Sequence, residues 1–135
     1  MKPLPTNLVT RKNIKTFEGR IYLGLRKGYT DQMYFKTDAE RVCEEFVKTG
    51  WCVTITPTEF IYTPTYVTGQ EDSVSGENGL IIGAINYPRY PTSELTLKEK
   101  LLSLAKLLLE ELSQERVTVV FTDETIMLER VSTPV

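Results

Sequence analysis

The chain has no histidine and only two cysteines among its 135 residues. Without histidine, the common zinc sites, imidazole acid–base catalysis and histidine-activated serine or cysteine nucleophiles are excluded. Cys43 and Cys52 are not spaced as a CxxC pair, so the sequence predicts no thiol metal site and no redox motif. We therefore expect no metal, no cofactor and no catalytic residue, and hence a protein that is not an enzyme.

The sequence also lacks an apolar run long enough to span a bilayer, and Met1 to Asn7 lack the apolar stretch of a signal peptide. The formal net charge is -2 and the basic residues are spread along the chain, which argues against duplex nucleic acid as a partner. We therefore expect a cytoplasmic protein that binds neither a membrane nor duplex nucleic acid.

The composition, with 41% hydrophobic and 25% charged residues, is that of an ordinary globular domain. Residues 1–16 carry two prolines and no consistent hydrophobic period, which predicts an N-terminal arm. We expect a single α+β domain over residues 17–130 and a loose C-terminal tail over residues 131–135.

Five segments have the alternation or the β-prone composition of strands: residues 20–26, 51–62, 80–85, 117–121 and 125–129. Pro57 interrupts the second of them, which predicts a bulge or a position at the sheet edge. Residues 80–85 are apolar throughout, as in an inner strand that is covered on both faces. The polar residues 64–79 predict an exposed hairpin loop.

Two segments have helical periodicity. Thr37 with Glu40 has the form of a capping box and opens the first helix, whose apolar face includes Cys43. Thr96 with Glu99 similarly opens a long second helix that ends near Leu112. Two further leucines, Leu102 and Leu109, widen its apolar face and predict a second buried surface.

The order of these elements predicts a ferredoxin-like βαββαβ sheet with two helices on one face and a short extra C-terminal strand. The other face of such a sheet would carry much apolar surface here. Covering that face with another copy avoids an exposed patch, so we expect a homodimer or a higher homo-oligomer.

The connection after residues 80–85 is the first candidate binding site. Asn86, Tyr87, Arg89 and Tyr90 present an amide, a guanidinium and two phenols on a segment that prolines stiffen. Aromatic rings stack on bases, an amide reads a base edge and arginine pairs with phosphate, so the cluster suits a small nucleotide-type ligand. The alternative is a rigid connection whose tyrosines cap the core.

A second cluster lies on the first strand, where Arg20, Tyr22 and Arg26 share one face and Lys27 and Tyr29 follow. If this strand neighbours residues 80–85, as in a ferredoxin-like sheet, the two clusters could converge on one pocket. The alternative is a solvated strand face.

Four segments together resemble small phage and prophage proteins: Arg20–Tyr29, Val53–Tyr62, Ile85–Pro91 and Gln114–Val120. The nearest group is the phage anti-Thoeris family, which sequesters cyclic ADP-ribose signals. The resemblance spans residues 17–129. It implies an oligomeric, non-enzymatic binder of a nucleotide messenger that works in the host cytoplasm if a phage encodes it.

These observations favour a binding protein that sequesters a nucleotide-derived immune signal, of the cyclic ADP-ribose or cyclic oligonucleotide class, and so blocks host defence. The alternative is an oligomeric interaction module or an inhibitor of a host protein, which would use the Leu102 and Leu109 flank or the kinked strand edge. An enzyme is the least expected class because no activated nucleophile is visible.

Overall fold

The elements follow one another in the expected order in the computed structural model, which describes residues 8–28, 30–62 and 75–131. They are β1 (Glu18–Gly24), α1 (Lys36–Val47), β2 (Thr54–Tyr62), β3 (Ser75–Ile85), α2 (Glu94–Glu111), β4 (Arg116–Phe121) and β5 (Thr125–Glu129). The strands form one antiparallel sheet in the order β2-β3-β1-β4-β5. The predicted ferredoxin-like α+β fold with an extra C-terminal strand is confirmed.

The core lies between the helices and one face of the sheet. Every second residue of β1 and β3 points into it, and the leucines of α2 pack against them: Ile21, Leu23, Leu80, Ile82, Leu101, Leu104 and Leu108. From α1, Cys43 joins this core with 2% exposure, as predicted. Burial raises the pKa of its thiol to about 11, so the group is a neutral apolar filler.

β3 is buried on one face only. Leu80 and Ile82 are buried against the helices, whereas Ile85, on the opposite face, is 55% exposed. The prediction that this strand is covered on both faces is therefore wrong for the single chain, because both helices lie on the same side of the sheet. We call the uncovered side the open face; strand pairing places these residues on it: Arg20, Tyr22, Thr56, Phe60, Glu77, Ile81, Thr118, Val120 and Met127.

The predicted hairpin differs from the structure in two ways. The β2–β3 register runs without an offset from Thr54 opposite Gly83 to Tyr62 opposite Ser75, so Pro57 causes no bulge. β2 does lie at the sheet edge, as predicted, and an edge strand tolerates the missing N–H of proline. Residues 75–79, expected in the loop, belong to β3, and the rest of that predicted loop lies outside the described residues.

Both helices begin before the predicted capping boxes. The backbone N–H of Phe35 donates to Asp38 Oδ2 at 2.8 Å, so α1 starts ahead of Thr37. At α2, Ser93 Oγ accepts from the backbone N–H of Thr96 at 3.1 Å. At α2 the Ser93 hydroxyl satisfies a free N–H of the first turn, whereas at α1 the Asp38 carboxylate bonds back to the N-cap residue Phe35. Thr37 and Thr96 both lie inside their helices.

The broad apolar face of α2 is covered in part within the chain. Leu109 is 7% exposed, and Leu102 packs against the same core as Ile126 and Leu128 of β5. The fifth strand extends the sheet under part of the wider helix face. Leu102 is still partly exposed and lines a cavity of about 590 Å³ with Leu109 and Leu128, so a second buried surface on α2 stays a prediction. Neither helix in the described residues combines enough length and apolar character to cross a bilayer.

Candidate functional site

Two cavities lie at opposite ends of the open face. The Glu77 cavity, of about 420 Å³, is lined by residues that include Tyr22, Phe60, Tyr62, Glu77 and Gln114. The Trp51 cavity, of about 330 Å³, is lined by residues that include Trp51, Gly83, Ile85, Tyr87 and Tyr90. Along β3, Gly83 and Glu77 are separated by about 20 Å of strand, so the two cavities are distinct sites.

A pair of glycines forms the floor of the Glu77 cavity. Gly24 of β1 lies opposite Gly79 of β3. A Cβ atom on Gly24 would collide with the Glu77 carboxylate, and one on Gly79 would collide with the Phe60 ring and come within 2.6 Å of the Leu23 carbonyl oxygen. The absence of side chains at both positions therefore leaves the room in which the carboxylate and the ring lie against the sheet.

The Glu77 carboxylate is held from below by Arg26. The Glu77 side chain is 16% exposed, and its Oε2 accepts a hydrogen bond from the backbone N–H of Arg26 at 3.1 Å. The guanidinium Nε lies 4.0 Å from Oε1, beyond hydrogen-bond length, and has no hydrogen-bond partner among the described residues. Gln114 fixes this corner, since its Nε2 donates to the Arg26 carbonyl oxygen at 2.7 Å and to that of Leu112 at 2.9 Å.

Three aromatic side chains, Tyr22, Phe60 and Tyr62, share the cavity with this carboxylate. All three are half-buried, and each comes from a strand of the open face. The combination of a carboxylate with aromatic rings attracts an organic cation, because the negative ring faces add to the carboxylate's charge. The Glu77 cavity therefore offers a carboxylate and stacking surfaces to a positively charged ligand with a planar part, with the guanidiniums of Arg26 and Arg116 beside the carboxylate.

The Trp51 cavity is built around a tight turn. The N–H of Tyr90 donates to the carbonyl oxygen of Tyr87 at 3.0 Å, and their ring centroids are 6.4 Å apart with an interplanar angle of 26°. Arg89 places its guanidinium carbon 5.4 Å from the centre of the Tyr90 ring. Both rings are exposed, Tyr87 by 51% and Tyr90 by 69%, so each has a free surface for a ligand.

The structure divides the seven predicted binding residues between the two ends of the sheet. Tyr87 and Tyr90 line the Trp51 cavity, and Arg20 lies opposite its floor residue Gly83. Tyr22 lines the Glu77 cavity, where Arg26 holds the carboxylate. The two clusters converge only in part: Arg20 lies beside the Trp51 cavity, whereas β1 runs lengthwise between the two cavities and places Tyr22 and Arg26 at the other one.

Both polar groups of the Asn86 side chain are hydrogen-bonded within the chain. Its Nδ2 donates to the Lys15 carbonyl oxygen at 3.1 Å, and its Oδ1 accepts from the N–H of Thr92 at 2.9 Å. The amide thus fastens the described part of the N-terminal arm to the connection before α2, and its role in ligand binding stays a prediction. Tyr29, also named from the sequence, lies outside the described residues. Among the described residues no three side chains of metal-binding type come together.

Two solved structures share this fold. A phage SAM lyase in complex with S-methyl-5'-thioadenosine matches with a TM-score of 0.70 and 20% sequence identity, over 92% of this chain and 97% of that chain. A phage SAM lyase in the apo state matches with a TM-score of 0.68 and 18% identity, over 87% and 92% of the two chains. No family model and no curated protein matches the sequence.

This comparison corrects the functional expectations. The chain is similar to a phage protein with a nucleoside-derived ligand, as expected in that coarser sense, but neither structure is of the anti-Thoeris family. Both are of a lyase, so an enzyme on the same fold contradicts the expectation of a protein that is not an enzyme. The missing histidine excludes imidazole catalysis, but it does not exclude catalysis by arginine, tyrosine or carboxylate side chains.

Proposed function

We propose that this chain is a lyase that acts on SAM and that the Glu77 cavity is its active site. The observation that carries the proposal is the position of the Glu77 carboxylate, 16% exposed and surrounded by aromatic rings, on a fold shared with a phage SAM lyase. SAM combines a sulfonium cation and an ammonium group with a planar adenine. Glu77 would attract the cation, and a ring of Tyr22, Phe60 or Tyr62 would stack on the base.

Cleavage of SAM needs no histidine because the leaving group is a neutral thioether. When the substrate's own carboxylate oxygen attacks the γ-carbon, a C–O bond forms and the C–S bond breaks, with its electron pair going to sulfur. The products are S-methyl-5'-thioadenosine, the compound bound in the similar lyase, and a lactone that keeps the ammonium group. No proton moves and no water is consumed, so the protein has only to bind the cation and hold the two ends together.

The activity is tested by incubating the purified protein with SAM and following the thioadenosine product by liquid chromatography. We expect product in the wild type and a loss of kcat/KM of about 100-fold in Glu77→Gln, since the amide keeps the shape and removes the charge. The control is Glu59→Gln, the same change on the same hairpin, because Glu59 is exposed and points to the opposite sheet face. Absence of product from the folded wild type would reject the proposal.

Charge recognition is tested separately by calorimetric titration. S-adenosylhomocysteine differs from SAM only in lacking the S-methyl group, so its sulfur is a neutral thioether instead of a sulfonium cation. We expect Glu77→Gln to weaken SAM by about tenfold or more and S-adenosylhomocysteine much less, because the carboxylate acts mainly on the sulfonium charge. An equal loss for both ligands would assign Glu77 to the amino acid part of the substrate instead.

We further propose that the open face packs against other copies of this chain, as expected from its apolar residues. The face carries Ile81, Val120 and Met127, and Met127 is 54% exposed. Such packing would also close the outer side of the Glu77 cavity and exclude water from the sulfonium. In a phage-infected cell, consumption of SAM would act against host defences that depend on it.

A further inference from the structure

The Trp51 cavity differs from the Glu77 cavity in its charge. The residues that line it within the described chain are all uncharged, and three of them are aromatic: Trp51, Tyr87 and Tyr90. No carboxylate is among these described lining residues, whereas Glu77 lines the cavity at the other end of the sheet. Gly83 leaves its floor open, because a Cβ atom there would come within 3.0 Å of Thr54 Oγ1.

The charged residues beside this cavity are Arg89, Arg20 and Glu18, the last of which lies opposite the lining residue Ile85. Arg89 lies over the outer ring, Tyr90, with its guanidinium 5.4 Å from the ring centre. Arg20 is the strand partner of Gly83, and its side chain is 49% exposed and only loosely paired with Glu18, at 3.6 Å. A ligand seated between the tyrosines and Trp51 would therefore meet positive charge at the rim.

We propose that the Trp51 cavity binds an anionic purine nucleotide of the AMP type, at a site separate from the one that binds SAM. The purine stacks on the free surfaces of the Tyr87 and Tyr90 rings, and the phosphate pairs with Arg89. Arg20, opposite the floor residue Gly83, is a second guanidinium that the phosphate could contact. The volume of about 330 Å³ is at the lower end of the range for small-ligand pockets and fits one nucleoside rather than a dinucleotide.

The charge difference makes the two sites selective for different adenine compounds. In the Glu77 cavity the carboxylate favours a cation, although Arg26 and Arg116 lie beside it, whereas the described lining of the Trp51 cavity has no carboxylate to oppose a phosphate. Two adenine-containing ligands of opposite charge would thus be sorted to opposite ends of the open face, about 20 Å apart.

The chain's single tryptophan provides the readout, because Trp51 lines the proposed site and no other tryptophan contributes to the emission. We would titrate AMP into the purified full chain and follow tryptophan fluorescence. We expect a saturable change in the wild type. Tyr90→Ala should weaken AMP by about tenfold or more, as loss of a base-stacking ring does.

Arg89→Ala should weaken AMP by about tenfold and leave adenosine unchanged, because only the phosphate meets the guanidinium. Glu77→Gln is the control, since it alters the other cavity and should leave AMP titration as in the wild type. Binding of AMP that is lost in Glu77→Gln would place the nucleotide in the proposed active site and overturn the inference. So would a wild type whose fluorescence does not respond to AMP, or an Arg89→Ala variant that weakens adenosine as much as AMP. None of these outcomes depends on whether SAM is cleaved.

Discussion

At the scale of single residues, the two glycines under the Glu77 cavity differ in what a methyl group would displace. At Gly24 the obstacle is the end of the flexible Glu77 side chain, whereas at Gly79 it includes the Leu23 backbone oxygen, at 2.6 Å. We expect Gly24→Ala to lower the free energy of unfolding by less than about 1 kcal/mol, and Gly79→Ala to lower it by about 1–3 kcal/mol. Urea unfolding measures both values.

The Gly24→Ala variant also distinguishes a loss of SAM binding from a loss of stability. Gly24→Ala should displace the carboxylate from its place above Arg26 and so weaken SAM, although the protein stays folded. If Gly24→Ala bound SAM as tightly as the wild type, the carboxylate would not be the group that recognises the cation.

Residue patterns predicted part of these sites. Tyr22, Tyr87 and Tyr90 were identified because an aromatic residue next to arginine is visible in the sequence. Glu77 was missed because it stands between two glycines in a polar segment, which is the composition of a loop. The strand at that position forms because β2 pairs with it, with Glu77 opposite Phe60, and pairing with another strand leaves no signal in the segment's own composition.

At the scale of elements, Lys98 joins α2 to the turn between β4 and β5. Its Nζ lies 2.8 Å from Asp123 Oδ2 and 3.5 Å from Glu124 Oε2. The hydrogen bond with Lys98 lowers the pKa of Asp123 from its usual 3.8, and the same bond raises the pKa of Lys98 above 10.5. An acid with a lower pKa in the folded state stabilises the fold above its unfolded pKa, and this contribution disappears as the pH falls through the folded value.

We therefore expect Asp123→Asn to lower the urea midpoint at pH 6, and the difference from the wild type to shrink as the pH falls below about 4. At the alkaline end the difference should shrink only as the pH rises through the raised pKa of Lys98. Glu99→Gln, at an exposed position of α2, controls for the change in net charge. A difference that is independent of pH between 6 and 2 would show that the link contributes nothing through charge.

Element order was predictable because the strands alternate and the helices have a clear apolar face, and both periodicities are local properties. The starts of the helices were not, since threonines within the helical pattern were taken as the N-cap residues, whereas the actual N-cap residues, Phe35 and Ser93, precede that pattern. The prediction that β3 is covered on both faces was wrong for a related reason. An apolar strand shows that both faces avoid water, but not whether the second cover comes from the same chain.

At the scale of the whole molecule, the layers are unequal: two helices cover one side of a five-stranded sheet, and the described residues place no element on the other. Both cavities open on that bare side. A second copy packed there would explain the apolar residues in positions that the single chain leaves exposed, and would give each cavity an outer wall.

A double substitution tests this assembly. Val120 and Met127 lie on neighbouring strands of the open face, away from the lining of either cavity, and replacing both with lysine would bring like charges together at an interface between copies. We expect native mass spectrometry and sedimentation velocity to give a dimer or a larger assembly for the wild type and a monomer for Val120→Lys/Met127→Lys, with the helical circular dichroism unchanged.

Leu95→Lys is the matched control, because Leu95 is 65% exposed on α2, in the layer on the other side of the sheet. If the wild type is a monomer at micromolar concentration, or if Leu95→Lys dissociates it as fully as the double variant, the open face is not the surface that joins the copies. If the double variant is monomeric and also loses lyase activity while still binding AMP, then the outer wall of the Glu77 cavity comes from a neighbouring copy and the Trp51 cavity is complete within one chain.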